Sequence, residues 1–167
     1  MAYSLLFATV TPTELASFLE AMDQPRSADS DLPQMTSVDL VITSHYHASA
    51  GTGKEELDRV IPELYDGGET LHPSLWHPWL PPRVFLPAQA RAIARDFIRA
   101  WELTLPEIPV KEREWWEGDF LPVVNLLSTL DSSELALVSF MEQPQDKERA
   151  EKVWYPVFVD PELLYPY

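Results

Sequence analysis

A largely apolar run, Tyr3 to Val10 (YSLLFATV), breaks without any spacer into Thr11-Pro12-Thr13-Glu14. A short apolar run closed by a turn signal reads as a buried strand. The four residues after it spell a helix start. Thr11 supplies a capping oxygen, Pro12 fits the first helical position where an N–H is not needed, and Glu14 can close a capping box. Leu15, Phe18, Leu19 and Met22 then recur at i, i+3, i+4 and i+7 and make one apolar face. A strand buried on both faces and an amphipathic helix each need a partner layer. The chain therefore has to build a sheet with helices packed on it, with Tyr3–Val10 inside the sheet and the helix docked by Leu15, Phe18 and Leu19.

The rest of the chain adds elements in irregular order. Residues 24–36 (QPRSADSDLPQMT) are polar, proline-bearing and aperiodic, which predicts an exposed loop. Val38, Leu40 and Ile42 alternate with Asp39 and Thr43 and predict a strand. From Lys54 to Tyr65, residues Leu57, Val60, Ile61 and Leu64 share a helical face, with Pro62 expected to end or kink the helix. Residues 66–87 hold two adjacent glycines and five prolines and predict a second long loop. Pro87 opens the longest helix, whose inward residues are Ala90, Ile93, Ala94, Phe97 and Trp101. Residues 106–119 (PEIPVKEREWWEGD) read as an acidic loop, followed by a helix from Phe120 to Leu130 and a strand from Leu135 to Met141. Residues 153–159 (VWYPVFV) suggest an edge strand, because Pro156 cannot donate to a ladder. No internal repeat is visible.

Strands and helices without a βαβ rhythm make α+β the expected class: a small mixed or antiparallel sheet packed by three to four helices. At 167 residues and 46% apolar content, one domain spanning 1–167 is expected. The absence of cysteine removes thiolate metal sites and thiol nucleophiles and fits a reducing compartment. The run at Leu5–Val10 is too short for a signal-peptide core, and no stretch reaches the ~18 apolar residues of a membrane span. A soluble cytoplasmic protein is the expectation.

Charge narrows the partners. The chain carries 27 acids against 12 bases, a net −15. Such a surface repels nucleic-acid phosphates and anionic membranes and attracts basic proteins. The acids lie at both ends: residues 1–82 are net −9 and residues 100–167 are net −9. Residues 83–99, by contrast, are net +3 through Arg83, Arg91, Arg95 and Arg99 against Asp96 alone. Arg91, Arg95 and Arg99 at i, i+4 and i+8 form a stripe on the long helix, away from its apolar face. That stripe suits either an anionic ligand or internal pairing with acids such as those in 112–119.

Three further patterns bear on chemistry. All four histidines fall between residues 45 and 77. His45 and His47 would share one strand face, while His72 and His77 sit beside Trp76 and Trp79 in the proline-rich loop. If they converge they form a pocket for a metal or for acid–base work near neutral pH. Their spacing matches no zinc motif, so no metal and no cofactor is expected. Ala50-Gly51-Thr52-Gly53-Lys54-Glu55 imitates a phosphate loop. It lacks the glycine five positions before Gly53 and the Ser or Thr after Lys54, so it reads as a turn capping the next helix. Finally, Glu112, Glu114, Trp115, Trp116, Glu117 and Asp119 combine carboxylates with indoles. This composition suits capture of a basic protein with tryptophan as anchor, or one tryptophan packed on the core among solvated acids. No Gly-x-Ser-x-Gly frame supports serine catalysis.

Three segments together resemble the YfbM-like family of uncharacterised bacterial proteins: Val10-Thr11-Pro12-Thr13-Glu14-Leu15, Arg83-Val84-Phe85-Leu86-Pro87-Ala88-Gln89-Ala90, and the late helix leading to the apolar strand at Leu135–Met141. The family's Asp-Lys-x-Trp…Leu-His segment would fall near residues 39–47, where this chain reads Asp-Leu-Val-Ile-Thr-Ser-His-Tyr-His. The resemblance implies a small α+β domain and carries over no functional residue. Two functions remain open from the sequence. One is a protein-binding module, immunity-like or inhibitor-like toward a basic partner. The other is a small enzyme or ligand-binding domain built on the histidines.

Overall fold

The computed structural model describes residues 4–22, 39–44, 51–70 and 83–142. In chain order these form β1 (Ser4–Val10), α1 (Pro12–Met22), β2 (Asp39–Ser44), α2 (Glu55–Asp66), β3 (Glu69–Thr70) and β4 (Arg83–Phe85). There follow α3 (Pro87–Thr104), a short 3-10 turn (Leu105–Glu107), α4 (Val110–Ser128) and β5 (Ala136–Glu142). The strands make a five-stranded sheet in the order β2-β1-β5-β4-β3. Every neighbouring pair runs antiparallel. The fold is α+β, and of the two sheets the sequence allowed, the antiparallel one forms.

β1 lies inside the sheet, between β2 and β5. Its register places Phe7 opposite Ser139 and Thr9 opposite Leu137, and Leu137 in turn lies opposite Phe85. Directly paired residues share a face, so Phe7, Leu137 and Phe85 look the same way. They join one hydrophobic cluster with Leu57, Val60, Ile61 and Leu64 of α2, Ile93 and Phe97 of α3, and Phe120, Val123 and Leu127 of α4. The alternating residues Ala8, Val10, Val84, Ala136 and Val138 point to the opposite face and are buried as well. Over Phe7–Val10 both faces of β1 are thus closed to water, as its largely apolar sequence predicted.

The helix starts follow the local chemistry. At α1, Thr11 N–H donates to Glu14 Oε2 (3.2 Å) and Glu14 N–H donates to Thr11 Oγ1 (3.2 Å), the reciprocal pair of a capping box. Leu15 is buried, while the side chains of Phe18 and Leu19 lie outside the described residues. At α3, Pro87 takes the first position and Gln89 Oε1 accepts the Leu86 N–H at 3.1 Å. α2 does not end at Pro62 but continues to Asp66. The ring removes one internal hydrogen bond, and burial of Ile61, Leu64 and Tyr65 carries the helix past it.

Two of the three expected loops are corrected. Residues 106–119 are not a loop. They contain most of the 3-10 turn and the first half of α4, because Ile108, Trp116 and Phe120 have core to bury into. Residues 66–87 are corrected only at their ends, where β3 and β4 form as strands too short to show a periodic pattern; residues 71–82 lie outside the described residues. Residues 24–36 and the expected strand at 153–159 lie outside the described residues.

Candidate interaction surface

Helix α4 has two unlike sides. Its inner side is an aromatic column: Trp116 stacks on Phe120 with centroids 5.6 Å apart, and Phe120 stacks on Trp101, also at 5.6 Å. Phe97 closes the column at 6.2 Å from Phe120. Trp116 is 6% exposed. It is therefore a core residue, as the sequence allowed for one of the two tryptophans, and not part of the interaction surface. Its neighbour Trp115 stands edge-on to it at 5.5 Å and is 55% exposed. Consecutive helical residues diverge by about 100°, so one indole anchors the helix and the other leaves it.

The outer side carries the acids. Glu112 and Glu114 are exposed, and Glu117 and Asp119 are partly buried. Glu112 pairs with Lys111 at 3.9 Å, a long and solvated contact. Apolar side chains interrupt the acids: Val110 is 83% exposed and Leu121 is 40% exposed. Val110, Glu114, Gly118, Leu121 and Asn125 follow one another at helical spacing, so they share one face. The helix start is tethered from the residue that precedes α2, where Lys54 Nζ donates to the Glu107 carbonyl at 3.4 Å.

Two arginines of the stripe pair within the chain, on partners other than those the sequence suggested. Arg91 Nη1 donates to the Ser133 carbonyl (2.9 Å) and to Glu134 Oε1 (3.0 Å). Arg95 Nε donates to Asp131 Oδ1 at 2.7 Å. Both acids lie in the turn between α4 and β5, not in 112–119. Two of the three arginines thus already hold carboxylates. Arg99, exposed and further along α3, makes no ion pair among the described residues.

The imitation phosphate loop is filled by the chain itself. Asp58 Oδ1 accepts the Thr52 N–H (2.6 Å) and the Thr52 hydroxyl (2.7 Å), and Asp58 Oδ2 accepts the Gly53 N–H (3.0 Å). Gly51 and Gly53, both at φ 73, give the loop its curl. The donors a phosphate would need are taken by a carboxylate in the first turn of α2, and the like charge repels an anion. His45, His47, His72, His77, Trp76 and Trp79 lie outside the described residues. Among the described residues no group of three or more His, Cys, Asp or Glu could hold a metal, and no helix is long and apolar enough to cross a membrane.

Sequence reasoning missed Val110, Gly118, Leu121 and Pro122 as surface features. Their helical relations to Glu114 become visible only once the helix is known to start at Val110. No family model matches the chain, nor does any curated protein or solved structure.

Proposed function

We propose that this chain is a cytoplasmic protein-binding module that captures a basic partner, in the manner of an immunity or inhibitor protein, through the outer side of α4. The observation that carries this is Trp115, an indole 55% exposed on a helix whose next residue is locked in the core. A large rigid aromatic held out by a fixed helix is the residue type that dominates binding energy at interfaces. The acids around it, on a chain of net −15, steer a basic protein toward it and set the salt dependence of encounter.

The test is capture from the source cell on immobilised protein, washed at low and then at high salt. Wild-type protein, Trp115→Ala and the triple reversal Glu112→Lys/Glu114→Lys/Glu117→Lys run side by side. A basic protein held at low salt and lost from both variants is the expected result. Recovery of no basic protein, or of one indifferent to both variants, removes the physical basis of the reading.

A further inference from the structure

Among the described residues nothing calls for a glycine at position 118. It lies inside α4 with helical backbone, where glycine is among the least favourable residues. Apart from its chain neighbours and the surrounding helix backbone, a Cβ built on it meets no heavy atom of the described residues within 4 Å. Neither a left-handed turn nor close packing within the described residues asks for it. Its neighbours at i−4, i−3, i+3 and i+4 are Glu114, Trp115, Leu121 and Pro122, and all four are exposed. The missing side chain therefore leaves a notch of bare backbone, flanked at helical spacing by an indole, a leucine, a proline ring and a carboxylate.

The floor of the notch has an acceptor to spare. In a helix the Gly118 carbonyl would receive the N–H of the residue four positions on. That residue is Pro122, which has none. The notch thus presents a carbonyl and a carboxylate as acceptors between apolar walls. The complementary shape is a side chain with an apolar stem and a cationic, multiply donating head. Arginine fits best, because its planar guanidinium stacks on an indole while still donating to oxygen.

We infer that the Gly118 notch receives one arginine side chain of the basic partner, with its stem against Trp115 and Leu121 and its guanidinium donating to the Gly118 carbonyl and Glu114. This rests on the proposed capture of a basic protein by α4 and names the group recognised.

The test uses the full chain and two alanine-based helical peptides, alike except that one carries arginine and the other carries citrulline, its uncharged isostere. Binding is read from the Trp115 indole N–H resonance, assigned with Trp115→Phe. The arginine peptide should shift that resonance and the citrulline peptide should not. Gly118→Gln fills the notch with a good helix former, so the melting temperature should rise while affinity for the arginine peptide falls by about tenfold, the scale of losing one anchoring contact. Pro122→Ala returns the missing N–H to the Gly118 carbonyl and should likewise stabilise the chain and weaken binding. Opposed changes in stability and affinity separate recognition from a merely structural role.

Equal binding of the two peptides, or unchanged affinity in Gly118→Gln, overturns the notch. If the arginine peptide fails to bind while a basic protein is still captured through Trp115, the notch falls and the capture reading stands. If neither peptide nor any basic protein binds, both fall.

Discussion

Replacing Trp116 with alanine deletes an indole that is 6% exposed and stacked on Phe120 at 5.6 Å. Truncating a buried Trp or Phe to alanine removes about 3–5 kcal/mol, the transfer energy of the lost surface plus the cavity left behind. Trp116 sits at the outer end of the aromatic column, next to exposed Trp115, so water can reach part of the vacated space. The loss should fall near the lower limit, about 3 kcal/mol. For a chain of this size that corresponds to a drop in melting temperature of roughly 6–12 °C. Trp115→Ala removes a half-exposed indole together with its edge-on contact with Trp116, a contact worth about 0.5–1.5 kcal/mol, and so should cost less than Trp116→Ala. Urea titrations followed by far-UV circular dichroism, run on both variants, give the comparison. Equal losses for the two tryptophans, or a loss below about 1 kcal/mol for Trp116→Ala, would show that α4 is not anchored as described.

Asp58→Ala should cost about 1–2 kcal/mol and speed amide exchange at Thr52 and Gly53, since three hydrogen bonds close that loop on one carboxylate; unchanged exchange there would contradict it. A double-mutant cycle on Arg95 and Asp131 should return a coupling of only about 0.2–1 kcal/mol that shrinks with salt, because their side chains are 64% and 61% exposed. Phe7→Ala, on an interior strand of the sheet and 5.5 Å from the Tyr65 ring, should lose about 3–5 kcal/mol in the same urea assay. Protein purified without added zinc or nickel should carry no stoichiometric metal. Elemental analysis showing a metal that disappears in His45→Ala/His47→Ala would move the function to the histidines.

Local chemistry made some elements legible and non-local packing hid others. The β1–α1 junction was readable because Thr11, Pro12 and Glu14 each act on neighbours within one turn, and the capping box forms as their spacing requires. The cores of α2 and α3 were readable from uninterrupted i, i+3, i+4 repeats. The start of α4 was not. Pro106, Pro109 and Gly118 are loop signals within reach of their neighbours, whereas Trp116 stacks on Phe120 and so joins α4 to Trp101 of α3. That stacking overrides local propensity. The short strands β3 and β4 exist through pairing alone, Glu69 with Val84 and Thr70 with Arg83, and two or three residues hold no period to detect.

The candidate surface was half legible for the same reason. The sequence placed the right carboxylates and indoles together, but without the helix it could not tell the buried tryptophan from the exposed one. The arginine stripe was correctly read as available for internal pairing. Its partners Asp131 and Glu134 sit 36 and 43 residues away along the chain, and no local pattern names them.

Steering and anchoring act on different rates. Carboxylates that steer encounter act on association, whereas an aromatic anchor acts on dissociation. The most direct measurement is therefore of both rate constants for the captured basic protein against wild type, Trp115→Ala and Glu112→Lys/Glu114→Lys/Glu117→Lys across a salt series. The triple variant should associate more slowly, with the difference vanishing as salt shortens the ~8 Å screening length of physiological buffer. Trp115→Ala should dissociate faster with association unchanged. Association that ignores both salt and charge reversal, together with dissociation that ignores Trp115, would contradict capture through the outer side of α4.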